Sequence, residues 1–302
     1  MKAIVTGGHG FLGSYVVDEL TRRGWDVAAP TASSFDLRKR RDVEAMFWAF
    51  KNVNAVVHCA AKVGGIGANI EAPADFFRDN VMMGVNLMDE AKHAGVEKFL
   101  TIGTACMYPE FMALPQRELD LYKGKPAAAT APYAFAKRAI LEMGQAYRDQ
   151  YQFSASMVIP TNLYGPGDNF DPVHGHVIPA MIQKFFDAQD EVVLWGTGTP
   201  SRDFLYVEDA AKGVADALEK YDGPEPINLG SGAFYSIGQL AQHIATICGF
   251  TGRIVWDTSK PDGAPYRYLS TEWAEKYLGW KATTPLNEGL EKTVAWYQEF
   301  RG

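Results

Sequence analysis

Apolar residues fall in short dense runs that alternate with longer segments of helical period, and this alternation predicts an architecture before any motif is read. Lys2 to Thr6, Trp25 to Ala29, Asn54 to Ala60, Lys98 to Gly103 and Ser154 to Ile159 are the short runs. They show little polar alternation, the habit of strands buried on both faces of a parallel sheet. Between them lie SYVVDELTRRG from Ser14, a helical pattern from Pro73 to His93 that Gly95 would stop, and a segment read as a helix from Pro132 to Tyr151. Alternation of this kind predicts an α/β fold, a Rossmann-type doubly wound parallel sheet with helices on both faces. In such sheets ligands bind beyond the carboxyl ends of the strands.

From about Asp168 the spacing changes. The segment DNFDPVHGHVIPAMIQKFFDAQ, a short strand at Val192 to Trp195, the loop GTGTPSRDFLYVEDA and the chain after Ser236 predict a smaller C-terminal substrate lobe. Residues 202–230 are expected to return to the main domain. The two lobes therefore interleave, 1–167 with 202–230 forming a dinucleotide-binding domain and 168–201 with 231–302 the substrate lobe.

With 47% hydrophobic and 22% charged residues and no low-complexity tract, the 302-residue chain has the composition of a globular protein. Its formal charge of −7 argues against broad affinity for nucleic acid or an anionic membrane. The apolar run after Met1 and Lys2 is too brief for a signal-peptide core, and no stretch approaches a membrane span, so a cytoplasmic protein is expected. Cys59, Cys106 and Cys248 are odd in number, far apart and without CxxC spacing, which supports neither a disulfide framework nor a zinc site. Cys59 and Cys248 lie in apolar runs and are expected in the core. Cys106 instead follows FLTIGT, where a strand is ending.

Candidate chemistry begins at TGGHGFLG. Gly7, Gly10 and Gly13 stand between a strand and a helix, where glycines permit a tight turn, close approach to a pyrophosphate and close helix packing. No Asp or Glu follows the second strand to grip an adenosine ribose, which favours NADP over NAD. Ser33, Ser34, Arg38 and His9 are the nearby candidates for a 2′-phosphate. Asp36 and Leu37 stand where a carboxylate could meet adenine, and Asp36 suits a helix N-cap equally well. Three glycines in Ala61 to Gly67 imply close backbone approach. Tyr133 and Lys137, four apart, share one helix face, where a cation would favour phenolate over phenol. The same spacing also suits an ordinary surface pair.

The glycine turn with Tyr133 and Lys137 resembles the extended short-chain dehydrogenase/reductase superfamily. Further stretches, in one order along the chain, resemble the GDP-L-fucose synthase family within it. They are AAKVGGIGAN from Ala60, PADFFRDN from Pro73, TACMYP from Thr104, PYAFAK from Pro132, PTNLYGPGDNF from Pro160, HVIPA from His176, WGTGTPSRDFLYVED from Trp195 and KPDG from Lys260. The resemblance implies NADPH-dependent 3,5-epimerisation and 4-reduction of a GDP-linked 4-keto-6-deoxy sugar. By it Cys106 and His176 are base and acid for the inversions, Tyr133 the proton donor to the C4 oxygen, Lys137 its partner and Thr104 a second donor. It implies NADP(H) contacts from Gly7, Gly10, Phe11, Leu12, Gly13, Ser33, Asp36, Leu37, Ala60, Ala61, Lys62, Tyr133, Lys137, Pro160, Asn162, Leu163 and His176. For the nucleotide sugar it implies Asn162, Lys184, Trp195, Arg202 and Arg267. A homodimer through helices 73–93 and 132–151 is expected by the same analogy.

This chain departs from the family at Thr104, where serine is common, at Lys184 and His9, where arginine is common, and around Tyr266, Arg267 and Ser270. Two alternatives remain: a C4-reductase or 4-epimerase without 3,5-epimerisation, and a non-catalytic NADP-binding module. A dehydratase is disfavoured because Ala105 and Cys106, in place of an Asp-Glu pair, follow Thr104.

Overall fold

The computed structural model describes residues 1–171, 175–260, 262 and 265–301. In chain order the strands are β1 (Lys2–Thr6), β2 (Asp26–Ala28), β3 (Ala55–His58), β4 (Lys98–Ile102), β5 (Ala155–Pro160), β6 (Asn162–Tyr164), β7 (Glu191–Trp195), β8 (Ser201–Arg202), β9 (Phe204–Tyr206), β10 (Ile227–Leu229), β11 (Tyr235–Ser236), β12 (Arg253–Asp257) and β13 (Tyr266–Arg267). The helices are α1 (Phe11–Arg22), α2 (Arg40–Ala49), α3 (Ile66–Glu71), α4 (Pro73–His93), α5 (Ala131–Tyr151), α6 (Val177–Asp187), α7 (Val207–Lys220), α8 (Ile237–Ile247) and α9 (Leu286–Arg301).

Six of these strands form one sheet in the order β10-β5-β4-β3-β1-β2, every neighbouring pair parallel. The apolar runs become its strands because both faces are covered. On one face α1 and α7 pack with Val16, Leu20, Val214 and Leu218 against Val5, Val57 and Leu100. On the other, α2, α4 and α5 bring Met46, Leu87 and Ile140 against Ile4, Val56 and Phe99. Side chains this buried each stabilise the fold by roughly 1.5–3 kcal/mol relative to exposure. The chain leaves β1 toward β2 and then returns to the other side of β1 as β3, so the strand order reverses there. In open parallel sheets, the ligand crevice lies at such a reversal, beyond the carboxyl ends of the strands.

The rest of the chain builds small sheets beside that crevice. β7 pairs with β12, β6 with β9, and β8 lies between β11 and β13. Their core is formed by Ile178, Phe185, Leu194, Ile244 and Leu290, with Phe170 stacked on Tyr297 at 4.4 Å between ring centroids. β10, at residues 227–229, lies beside β5 in the main sheet, and α7 covers that sheet's face.

Several local expectations need correction. The segment after Pro160 contains the short strand β6, because Asn162 to Tyr164 find hydrogen-bonding partners in Phe204 to Tyr206. The glycine-rich stretch after Ala61 carries the short helix α3; a Cβ added at Gly64 would lie 3.0 Å from the Ala68 Cβ and 3.3 Å from the Phe76 ring, whereas one at Gly67 would meet only open space. Asp36 does not cap α2: the cap position is Lys39, and the Asp36 carboxylate instead takes the backbone N–H and guanidinium of Arg38. Cys59 and Cys248 are half-buried at the margins of the cores rather than within them.

Candidate active site

The glycine turn lies at the strand reversal. Gly7 adopts φ +71°, and a Cβ there would lie 2.7 Å from the backbone nitrogen of Ala60, at the exit of β3. A Cβ at Gly13 would meet the Gly7 carbonyl oxygen at 2.0 Å, so the first turn of α1 closes on the loop only because both residues lack side chains. Gly10 at the N-cap offers no capping side chain, and the first turn holds no acid. The helix therefore presents uncapped N–H groups and the positive end of its dipole to an anion. This cradle fits a dinucleotide pyrophosphate. Phe11 and Leu12 flank it, half-buried.

Beyond β2, the exposed hydroxyls of Thr31, Ser33 and Ser34 bond one another at 2.9 Å, and His9 Nε2 lies 3.0 Å from the Ala29 carbonyl oxygen. Arg38 is engaged by Asp36 and stands 3.6 Å from Asp79, and its guanidinium holds the Asp36 carboxyl well below its usual range. Asn86 fixes the Leu37 carbonyl at 3.0 Å. Asn80 grips the Lys62 backbone at both N–H and C=O, 3.0 Å each, which fixes the Ala60, Ala61, Lys62 turn over the crevice.

At the end of β4, Thr104 is extended and caps a single 3-10 turn, Ala105–Met107, by accepting the Cys106 N–H at 3.3 Å. Its hydroxyl also stands near enough to the Tyr133 phenol to favour the phenol's ionised form. Tyr133 and Lys137 lie one turn apart on α5, both buried, and Lys137 donates to the Ile102 carbonyl at 2.8 Å. The structure thus joins Thr104, Cys106 and Tyr133 and braces Lys137 against β4.

The electrostatic expectation for this pair is overturned. Burial pushes the Tyr133 phenol well above its usual range, with the nearby Cys106 adding to the rise and only the Thr104 hydroxyl opposing it. Lys137 does not hold a phenolate here, since its ammonium points to Ile102. Burial brings Lys137 itself down to about 8.

Nearby groups were invisible in the sequence. His58 is buried at the end of β3, with Nδ1 2.8 Å from the Thr6 hydroxyl; burial and the charge on Lys137 push it down to about 3, so it is neutral near pH 7. Arg138 bonds the Met107 carbonyl through Nε at 2.8 Å and clamps the Cys106 turn from behind. Asp203 is fully buried: its carboxylate takes the Ser231 N–H and hydroxyl, while its backbone carbonyl accepts from Thr161 and Asn162. Each partner is 28 or more residues away, beyond the reach of local pattern.

His176 heads α6 in the smaller lobe. Its side chain is 53% exposed, and Nδ1 lies 3.6 Å from Oδ1 of the buried Asp168, which raises its pKa.

Lys184, Trp195 and Arg202 line one pocket of about 240 Å³ together with Met181, Leu194 and Asp262. Arg267 stands beside Arg202 in register on parallel strands β13 and β8. Burial, with the neighbouring Arg267 charge, lowers Arg202 to about 10. The Nε of Arg267 is buried without a hydrogen-bond partner among the described residues. Two guanidiniums so placed suit a multiply charged anion such as a diphosphate. Trp195 is largely exposed, with the Lys260 ammonium 5.5 Å from its ring centroid. Asn162 lies apart from the pocket lining, its amide bonded to the Asp203 carbonyl at 2.8 Å. Within KPDG, Pro261 and Gly263 lie outside the described residues.

A parallel sheet with a glycine cradle after its first strand, and a Thr104–Tyr133 pair at its fourth, defines a dinucleotide-dependent enzyme of the short-chain dehydrogenase/reductase class. A family model described as the NAD dependent epimerase/dehydratase family matches residues 3–230. A rice (Oryza sativa subsp. japonica) relative named "Probable GDP-L-fucose synthase 1" is 43% identical over 304 residues, covering 99% of this chain and 92% of the relative. The solved GDP-L-fucose synthetase of Naegleria fowleri bound to NADP superposes with a TM-score of 0.90 at 31% identity, covering 99% of this chain and 94% of that one. A GDP-6-OMe-4-keto-L-xylo-heptose reductase from C. jejuni superposes with a TM-score of 0.93 at 26% identity, covering 99% and 98%. The chain belongs to the NAD dependent epimerase/dehydratase family and, within it, to the GDP-L-fucose synthase family.

Proposed function

We propose that this protein carries out NADPH-dependent 3,5-epimerisation and 4-reduction of a GDP-linked 4-keto-6-deoxy sugar. The product is GDP-L-fucose or a close relative such as GDP-L-colitose or a GDP-heptose. The observation that carries this reading is the meeting of hydroxyl, thiol and phenol in Thr104, Cys106 and Tyr133 at one strand end.

In this reading Gly7, Gly10, Gly13, Phe11 and Leu12 would hold the pyrophosphate of the cofactor, Ser33, Asp36 and Leu37 would serve its adenosine, and Ala60, Ala61, Lys62, Pro160, Asn162, Leu163 and His176 would supply further contacts. NADPH, when bound, supplies hydride for C4. Tyr133 gives its phenolic proton to the C4 oxygen, and burial keeps that proton in place until it is needed. Thr104 donates a second hydrogen bond to the same oxygen, so two fixed donors meet the charge that develops there. Lys137, cationic below about pH 8, would hold the nicotinamide ribose. Before reduction, the C4 ketone acidifies the hydrogens at C3 and C5. Cys106 removes each proton from one face and His176 returns one to the other. Arg202 and Arg267 hold the diphosphate, with Lys184 and Trp195 beside the nucleoside and Asn162 toward the sugar.

A C4-reductase is the second reading, favoured by one observation: His176 belongs to the smaller lobe and its contact is with Asp168. To separate the two, GDP- and dTDP-linked 4-keto sugars are offered with NADPH and with NADH, and nicotinamide absorbance is followed. NADPH oxidation with the GDP sugar and a product inverted at C3 and C5 by NMR supports the first reading. Oxidation with both centres retained supports the second. No oxidation with any keto sugar leaves a non-catalytic module.

All three cysteines carry free thiols, which suits a reducing compartment such as the cytoplasm. Among the described residues no helix is long and apolar enough to cross a membrane. We place a homodimer contact on α4 and α5, which pack together and expose Phe77, Met82, Val85, Phe135 and Tyr151. Sedimentation of the wild type beside a Met82→Lys, Val85→Lys variant tests it, and a monomeric wild type would refute it.

A further inference from the structure

His176 stands where an imidazolium is poorly placed. It is the N-cap of α6, and the positive end of a helix dipole disfavours a cation there. A proton donor at that position needs a compensating charge. The structure supplies one in Asp168, whose side chain is 2% exposed, against 53% for the imidazole it faces.

The Asp168 carboxylate is held in place from its own loop. Oδ1 accepts the Asn169 N–H at 2.7 Å and faces His176 Nδ1 at 3.6 Å, while Oδ2 is buried without a partner among the described residues. The loop is closed by the Gly175 N–H on the Asp171 carbonyl at 2.8 Å, and Phe170 is anchored on Tyr297. A buried carboxylate with spare acceptor capacity, opposite a half-exposed imidazole, is a partner that stays fixed while the imidazole meets substrate.

We propose that Asp168 is a positioning residue for His176: it holds Nδ1 protonated and directed inward, leaving Nε2 to deliver a proton to the sugar ring. The proposal rests on the epimerase reading of His176. In each inversion the C–H bond breaks as its proton passes to the Cys106 thiolate, forming the thiol. The electron pair remains on the ring as an enolate, and a new C–H bond forms as His176 Nε2 gives up its proton and becomes neutral. Solvent then takes the thiol proton and returns one to His176 before the next inversion, and Asp168 exchanges no proton in this cycle.

The direction of the His176 pKa agrees, since Asp168 raises it against the opposing effect of burial. Other ionisable groups on the neighbouring segments are Asp171 in the same loop, Lys184 further along α6 and His243 on α8. Asp168 is the one among the described residues that shifts the imidazole.

The test is the variant Asp168→Asn in the full chain. Asparagine keeps an oxygen for the Asn169 N–H, so the loop retains its internal bond. The His176 ring signal, assigned by its loss in His176→Gln, is titrated by NMR in wild type and variant. Exchange of solvent deuterium into the keto sugar is followed over pH in the same two proteins. The expected result is a His176 pKa lowered by about one unit or more, and exchange at pH 8 slowed at least tenfold and partly recovered at lower pH, with NADPH affinity unchanged. An unmoved His176 pKa overturns the proposal, and so does a lowered pKa with wild-type exchange. If the wild type itself exchanges no deuterium, the epimerase reading fails while the titration still decides the Asp168–His176 pairing.

Discussion

Replacing Lys137 by methionine should stabilise the free protein while disabling it. The lysine is 3% exposed, and its pKa falls from 10.5 to about 8 through burial. A group whose folded pKa is depressed costs stability wherever it is charged in both states. For Lys137 that cost is full below about pH 8, shrinks as pH rises from 8 to 10.5, and is absent above 10.5. The difference corresponds to about 3 kcal/mol at pH 7. Methionine has similar length and no charge, but it leaves the Ile102 carbonyl without its 2.8 Å donor, which offsets roughly 1–1.5 kcal/mol. The net expectation is a gain of about 2 kcal/mol at pH 7, a rise in Tm of a few degrees. Denaturation of both proteins from pH 7 to 10.5 measures it, read as the difference so that shared titrations cancel. The gain should shrink across that window, and kcat should fall by roughly a hundredfold or more. A variant less stable than wild type at pH 7, or a difference that does not change with pH, would refute the reasoning.

Other outcomes follow from the same geometry. Thr104→Val keeps the branched shape and loses the hydroxyl, and steady-state assays should show kcat down by roughly 10²–10³ while Thr104→Ser stays within a few-fold; equal behaviour of the two would remove Thr104 from the reaction. Gly13→Ala forces a Cβ to within 2.0 Å of the Gly7 carbonyl oxygen, so calorimetric titration should show NADPH affinity lost at least tenfold, and unchanged affinity would place the cofactor elsewhere. Arg267→Met should raise KM for the nucleotide sugar about tenfold or more with little change in kcat, because the diphosphate loses one of two adjacent guanidiniums; a fall in kcat at constant KM would contradict that placement.

What was legible in the sequence follows from how each element is stabilised. β1, β3, β4 and β5 announce themselves because strands buried on two faces must be apolar throughout, and α4 begins at Pro73 and ends at His93 where its stop signals stand. β8, β11 and β13 are two residues each, too short for any period to register. β6 begins two residues past Pro160 and exists only because β9 pairs with it from 42 residues away. The adjacency of Tyr133 and Lys137 could be read from their spacing. Its electrostatic result could not, because burial outweighs the expected pull of the ammonium, and burial depends on the whole packed domain. Asp168, Asp203 and His58 escaped notice for a related reason. Each is an ordinary polar residue in its own segment and gains meaning only from its surroundings in the fold.

The central claim is that one bound sugar is inverted before it is reduced. It is tested most directly by running the reaction in deuterium oxide with the GDP-linked 4-keto-6-deoxy sugar and NADPH, then locating the label by NMR. Deuterium at both C3 and C5 of the reduced product, strongly diminished in Cys106→Ser, is the predicted result. A reduced product carrying no label at either carbon would contradict it.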